Sequence, residues 1–200
     1  MKTKLSQRQK EIIIGSILGD GYLEFNGYVG TRLQIKQSVR YKEYVMWLYK
    51  ELFSLCKSSP KRKKDTGQWY FSTRHLKELT DIRNKFYEGK KKIVPNDIAK
   101  LLTSKLSLAI WYMDDGTMDY RPKDHRAFSL AINCFTLKEA NLLSRVLYDN
   151  YGIIATVQNP FCRDKRYPRL YIGKEGRNKF LQIINPYILN CFAHKLPPLL

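Results

Sequence analysis

Two apolar segments, each closed by an acidic residue and a glycine, recur 95 positions apart and constrain the fold more than any other feature. The first runs Ile12-Ile13-Ile14-Gly15-Ser16-Ile17-Leu18 and stops at Gly19-Asp20-Gly21. The second runs from Leu106 to Met113 and stops at Asp114-Asp115-Gly116. Both are apolar on every face, which predicts helices buried all round rather than surface helices. Ser6-Gln7-Arg8-Gln9 has the form of a capping box, so the first helix is expected from about residue 7 to 18, ended by glycine.

Other landmarks recur in the same order, at intervals close to this one. Lys42-Glu43 matches Lys138-Glu139, and Lys92 ahead of Pro95 matches Lys195 ahead of Pro197. Between them the periodicity alternates. Arg32-Leu33-Gln34-Ile35-Lys36 reads as a half-buried strand with Leu33 and Ile35 inward. Helices are expected over Tyr41–Cys56, Leu76–Phe86, Leu137–Tyr151 and Asn178–Ile184, and strands around Trp69–Thr73, Tyr120–Asn133 and Arg169–Ile172. A repeat near 100 residues is too long for a solenoid. It implies two copies of a helix–strands–helix–strands–helix unit, a pseudo-dimer in one chain. The halves are residues 1–99 and 100–200, joined between Pro95 and Lys105 without a low-complexity linker.

The charge balance names the partner. Lys+Arg is 36 against 18 Asp+Glu, a net +18 in a chain of globular composition. So basic a surface repels itself unless a polyanion neutralises it, which points to nucleic acid. No apolar run approaches the roughly 20 residues of a membrane span. The beginning of the chain lacks a signal-peptide core, so an intracellular location is expected, in a prokaryotic cytoplasm or an organelle. Cys56, Cys134, Cys162 and Cys191 have no CxxC spacing and read as free or buried thiols in a reducing compartment.

Packed side by side, the two apolar helices bring Asp20 and Asp115 together at their ends. Two carboxylates about 6 Å apart, at an effective dielectric of about 20, repel by roughly 3 kcal/mol. Each also sits at the negative end of a helix dipole, which adds about 0.3–1 kcal/mol. A hard divalent cation removes both penalties, since carboxylates, backbone carbonyls and water are the ligands of Mg²⁺. Carboxylates holding such an ion beside a phosphodiester suit in-line hydrolysis. Gly15-x-x-x-Gly19 supplies small residues one turn apart, where another helix can approach closely.

These segments resemble the paired nonapeptides of the LAGLIDADG homing endonucleases, in the single-chain, double-motif form. The resemblance covers nearly the whole chain: residues 13–21 and 108–116, Lys92 with Pro95, Phe135-Thr136, and Lys195-Leu196-Pro197 occur in order. It implies an α+β fold of two pseudo-symmetric αββαββα repeats, with antiparallel saddle-shaped sheets and a central two-helix interface. It implies hydrolysis of both strands of a long, asymmetric double-stranded DNA site with Mg²⁺, leaving short 3′ overhangs. Mn²⁺ is expected to substitute, and Ca²⁺ to support binding with little cleavage. Asp20 and Asp115 correspond to the metal-binding carboxylates, assisted by the carbonyls of Gly19 and Asp114. Lys92 and Lys195 correspond to the basic residues beside each scissile phosphate. Gln37 and Asn133 match the solvent-ordering polar residues, with Gln34 a rival to Gln37. Gly19 departs from the family pattern, standing where an acidic residue is often found; Asp114 fills that place in the second motif.

DNA contacts are expected on the sheets and hairpins. Arg62, Lys63, Arg121, Lys123, Arg163 and Arg166 suit phosphates. Arg32, Gln34, Lys36, Arg74, Arg126 and Arg169 are read as outward strand residues able to reach bases, arginine suiting guanine and glutamine adenine. The expected enzyme is a monomer acting as a pseudo-dimer. The alternative on the same scaffold is a non-cleaving binder, an intron RNA maturase or a regulator. An intein origin is disfavoured by the termini.

Overall fold

The computed structural model describes residues 4–121, 125–162 and 165–198. The first half runs α1 (Gln7–Leu18), β1 (Tyr22–Phe25), β2 (Thr31–Gln37), α2 (Lys42–Glu51), β3 (Lys61–Arg62), β4 (Trp69–Ser72) and α3 (Lys77–Phe86). A short hairpin, β5 (Tyr87–Glu88) and β6 (Lys91–Lys92), and the one-turn α4 (Ile98–Leu101) lead into the second half. That half runs α5 (Lys105–Asp115), β7 (Gly116–Arg121), β8 (His125–Ala131), α6 (Leu137–Tyr151), β9 (Thr156–Gln158), a hairpin of β10 (Phe161–Cys162) and β11 (Lys165–Arg166), β12 (Arg169–Ile172) and α7 (Arg177–Ile184).

The halves share one topology. The first sheet has the order β1-β2-β4-β3 and the second β7-β8-β12-β9, with antiparallel neighbours throughout. In each, the third and fourth strands in sequence swap places in space. The mixed antiparallel architecture, two αββαββα units around α1 and α5, is the one the repeats imply. The extra β10–β11 hairpin lengthens the second copy.

Local chemistry explains where the elements begin. The Ser6 hydroxyl accepts the Gln9 N–H at 3.2 Å, and the Gln9 side chain accepts the Ser6 N–H at 3.1 Å. Thr136 and Glu139 form the same reciprocal cap on α6, and Gly152 ends that helix at φ 65°. Caps of this kind stabilise a helix end by about 1 kcal/mol. The helix expected over Tyr41–Cys56 is shorter, Lys42–Glu51, followed by a tighter 3₁₀ turn to Leu55. The expected β stretch Tyr120–Asn133 is a hairpin whose first strand starts at Gly116, directly at the end of α5.

The core is centred on the α1–α5 pair. Ile12 to Leu18 and Leu106 to Met113 are buried without a break. A Cβ on Gly15 would stand 2.5 Å from the Ser107 carbonyl oxygen and 2.9 Å from Ile110 Cβ, so glycine is what permits the close crossing. The Ser107 hydroxyl donates to the Glu11 carbonyl at 2.7 Å, adding a polar tie across the pair. The connection between the halves is docked on α6. Asn150 Nδ2 donates to the Ala99 and Leu102 carbonyls, and the Tyr151 hydroxyl to those of Leu102 and Ser104.

Candidate nucleic-acid-cleaving site

Side by side, α1 and α5 deliver Asp20, Asp114 and Asp115 to one place. The backbone N–H of Asp20 donates to Asp114 Oδ2 at 3.2 Å. From the end of β2, Gln37 Nε2 donates to Asp20 Oδ2 at 2.9 Å and to Asp114 Oδ1 at 3.2 Å. Gln37 shares the parity of Leu33 and Ile35, so it turns from the open face of the sheet toward the ends of the helices. The rival Gln34 lies on the opposite, open side, lining the shallow recess beside Asp20.

Each half supplies a lysine to the end of its own helix. Lys92 on β6 donates to the Gly19 carbonyl at 2.7 Å. Lys195 donates to the Met113 carbonyl at 2.6 Å and reaches those of Tyr112 and Asp114 at 3.4 Å. The Tyr112 hydroxyl in turn donates to the Lys195 carbonyl at 2.7 Å. An ammonium at the negative end of a helix satisfies carbonyls that otherwise lack partners.

The electrostatics are those of a site short of positive charge. Burial, reinforced by Asp20, pushes the Asp115 carboxyl up to about 7, against the pull of Lys92 and Lys195. Burial and the neighbouring Asp20 raise Asp114 well above the usual carboxylate range. The residue keeps some exposure to the cleft, while its carboxyl is enclosed by protein groups. Burial lowers both Lys92 and Lys195. Only Asp20 stands exposed among the three acids.

The helix ends at glycine as expected, but Gly19 has φ −96°, outside the left-handed region of a glycine cap. The constraint there is steric. A Cβ on Gly19 would lie 2.5 Å from both Cβ and Oδ2 of Asp114. Asn133 is exposed in the turn after β8, and no hydrogen bond joins its side chain to these carboxylates. Sheet register explains the difference. Tyr22 pairs with Gln34 in the first half as Thr117 pairs with Ser129 in the second, so the counterpart of Gln37 is the buried Ile132.

Two residues beside the acids carried no functional signal in the sequence. The buried Tyr44 hydroxyl faces Asp114 without a hydrogen bond of ordinary geometry. Cys134 lies near Lys92 and Asp115, its thiol raised by burial and opposed by Lys92. Cys56, Cys134 and Cys191 are free thiols.

The open face of the first sheet carries Tyr22, Glu24, Arg32, Gln34, Lys36, Lys61, Tyr70 and Ser72, which share one parity across the register. Arg32 is ion-paired to Glu24 across the strands. The second sheet presents Thr117, Asp119, Arg121, Ser129, Gln158, Arg169 and Tyr171. Arg169 donates to the Gln158 side chain at 2.9 Å, and Arg121 lies 3.7 Å from Asp119. Exposed Arg62 and half-buried Lys63 sit at the β3 turn, and exposed Arg166 stacks over Phe161 on the β10–β11 hairpin. Two of the expected outward residues point elsewhere. Arg126 shares the parity of Phe128 and Leu130 and bonds to Asn178 of α7 at 2.8 Å, on the helix-facing side. Arg74 follows β4 and binds the Ser54 carbonyl. Lys123 and Arg163 lie outside the described residues.

A model of the LAGLIDADG DNA endonuclease family matches residues 10–180. The chain is 32% identical over 203 residues to the cytochrome b mRNA maturase bI2 of Debaryomyces hansenii, covering 96% of this chain and 74% of that one. It is 26% identical to the DNA endonuclease I-ChuI of Chlamydomonas applanata, covering 96% and 95%. Several longer curated relatives are spanned over about half their length. Among solved structures, the homing endonuclease I-WcaI bound to its DNA recognition sequence superposes with a TM-score of 0.84 at 28% identity, covering 98% of this chain and 88% of that one.

Proposed function

Because this chain belongs to the LAGLIDADG DNA endonuclease family, we propose that it is a site-specific endonuclease that cuts both strands of a long, asymmetric duplex. The observation that carries this reading is the meeting of Asp20 with Asp114 and Asp115 at the ends of two packed helices, each helix end held by a lysine of its own half. The two copies, residues 1–99 and 100–200, each contribute the final carboxylate of a motif (Asp20, Asp115), one lysine and one open sheet, and the second adds Asp114. Unlike sheets let one chain read an asymmetric site. Two such sheets cover about two helical turns, roughly 20 base pairs.

The donor set fits a hard divalent ion, Mg²⁺ or Mn²⁺, with Ca²⁺ supporting binding. Among the described residues no group of three or more His, Cys, Asp or Glu side chains is placed to hold a metal ion, so a site here draws on two carboxylates and backbone carbonyls. Asp20 and Asp115, with the carbonyls of Gly19 and Asp114, would hold such an ion and leave positions for water and phosphate oxygens. When bound, it would polarise the phosphodiester and neutralise the paired carboxylates. The chain's own residues do the rest. Lys92 and Lys195 place positive charge where the phosphate becomes more negative. Gln37 spends its amide N–H groups on carboxylates, which leaves its carbonyl oxygen to orient a water.

A second reading is supported by the likeness to an mRNA maturase: the same scaffold binding intron RNA without cleaving DNA. One experiment separates the two. Duplexes bound in Ca²⁺ are selected from a randomised pool, and Mg²⁺ is then added, with Asp20→Asn and Asp115→Asn alongside. The endonuclease reading expects double-strand breaks at one long site with short 3′ overhangs, lost in both variants while binding persists. Selective binding without cutting moves the assignment to a maturase or regulator. No selective duplex binding, with capture of structured intron RNA instead, overturns the DNA reading.

A further inference from the structure

We propose that Asp114 is a positioning residue that makes the two phosphodiester sites unequal, ordering the site of the first half and leaving the other without an equivalent; this rests on the endonuclease reading above. Asp114 belongs to the second motif helix, yet the side-chain partners of its carboxylate belong to the first half. Oδ2 accepts the Asp20 N–H at 3.2 Å, and Oδ1 accepts Gln37 Nε2 at 3.2 Å. The Tyr44 hydroxyl, fully buried on α2 of the first half, faces the same carboxylate with no hydrogen bond of its own. Three groups of one half thus converge on one acid of the other.

The reciprocal arrangement does not exist. The position matching Asp114 in the first motif is Gly19, and a Cβ there would already stand 2.5 Å from the Asp114 Cβ and Oδ2. The place where the two helix ends meet therefore admits one side chain, and α5 supplies it. The position matching Gln37 in the second sheet is Ile132, buried and apolar, while Asn133 is exposed beside it. The second half lacks both the bracket and the amide the bracket would hold.

The consequence concerns Gln37. Nε2 lies within hydrogen-bond distance of both acids, so its two N–H groups are taken by Asp20 and Asp114, and the amide plane is set. The free Oε1 then points in one direction beside Asp20. A water accepted from that side is ordered before DNA arrives. The same groups fix the backbone of Asp20 at its N–H. The strand attacked beside Asp20 is accordingly the one whose cutting depends on Asp114.

Strand-resolved cleavage tests this. The selected duplex carries a different dye on each 5′ end, and single-turnover rates are read for Gln37→Ala, Asp114→Asn and the double variant. Loss of a residue that holds a site residue in place costs about 10–100-fold. The expected result is that both single variants slow the same strand by that factor, with little change in the other. The double variant should be no slower than the slower single, because the two residues act in one network. Ca²⁺-dependent DNA binding at wild-type strength establishes that each variant is folded. A second readout needs no cleavage: the side-chain amide resonances of Gln37 should shift in Asp114→Asn and stay in place in Lys195→Met. Equal slowing of both strands, additive losses, or an unmoved Gln37 amide overturns the proposal while leaving the endonuclease reading intact. A wild-type chain that cuts neither strand overturns that reading and the inequality with it.

Discussion

Gly19 and Asp114 occupy equivalent positions in the two motifs and compete for one space: a Cβ on Gly19 would lie 2.5 Å from the Asp114 Cβ. The pseudo-two-fold relation between the halves therefore breaks at its own axis. A symmetric pair of side chains would have driven the helix ends apart, and with them Asp20 and Asp115.

Substitution at Gly19 should expose this coupling. Gly19→Ala forces a methyl group into occupied space, which costs about 1–3 kcal/mol. Removing the obstacle, Cβ included, with Asp114→Gly should recover part of that loss, so the double variant is more stable than the sum of the singles predicts. Urea denaturation of the four proteins in chelator measures the coupling. Strict additivity would mean that the helix ends do not compete.

Stability without metal should depend on Asp115 in a defined pH window. Burial and Asp20 raise this carboxyl from 3.8 to about 7, so the folded chain holds its proton more tightly than the unfolded chain does. Between about pH 4 and 7 the folded state binds more protons from this group, and its contribution to stability falls as pH rises. Asp115→Asn removes that slope. The variant should gain on the wild type across the window, by up to about 4 kcal/mol, since each tenfold difference in proton affinity is worth about 1.4 kcal/mol. Denaturation in chelator at several pH values checks this, and a gap independent of pH would contradict it.

The legible parts of the fold are those whose signal is local. Ser6 with Gln9 marks a helix start by residue type and spacing alone, and α1 begins where that mark places it; the structure adds the same reciprocal cap from Thr136 and Glu139 on α6. The repeat is legible because two buried helices cannot hide an unbroken apolar run. What depends on strand register is not. Asn133 looks equivalent to Gln37 by offset, but pairing between β7 and β8 assigns that place to Ile132. Arg126 reads as outward only while the stretch from Tyr120 to Asn133 stays undivided, because its parity is set once two strands are distinguished. Tyr44 is silent for a different reason: a tyrosine on the inner face of a helix looks like core until its hydroxyl is seen beside Asp114.

The two arginines of the second sheet should separate in a binding experiment. Arg169 stands exposed on the open face, whereas Arg126 is tied to Asn178 on the helix side. If about ten phosphates are neutralised, log K falls with log salt at a slope of about −9. Arg169→Ala should weaken DNA binding, either lowering that slope by about 1 if it meets phosphate or relaxing one base position if it reads an edge. Arg126→Ala should cost about 1 kcal/mol of stability and leave both slope and specificity unchanged. Equal binding defects in the two variants would place Arg126 at the DNA.

Lys92 and Lys195 should each govern one strand. Among the described residues Lys92 donates to the Gly19 carbonyl at the end of α1, and Lys195 reaches the Tyr112, Met113 and Asp114 carbonyls at the end of α5. Neither donates to the other half's helix, so loss of one ammonium leaves the hydrogen bonds of the opposite helix end in place, although both lysines act on the Asp115 carboxyl. Methionine keeps most of the aliphatic stem in its half-buried path while removing the charge. Removing one positioned cation from a charge that develops in the transition state costs about 100-fold or more. Lys92→Met and Lys195→Met should therefore each convert the enzyme toward a nickase, and the two should spare opposite strands. On supercoiled plasmid carrying the site, nicked circles should accumulate well before linear product in both variants. Strand-specific labels then identify the surviving cut. Linear product forming at the wild-type rate, or the same strand spared by both, would contradict the division of labour between the halves.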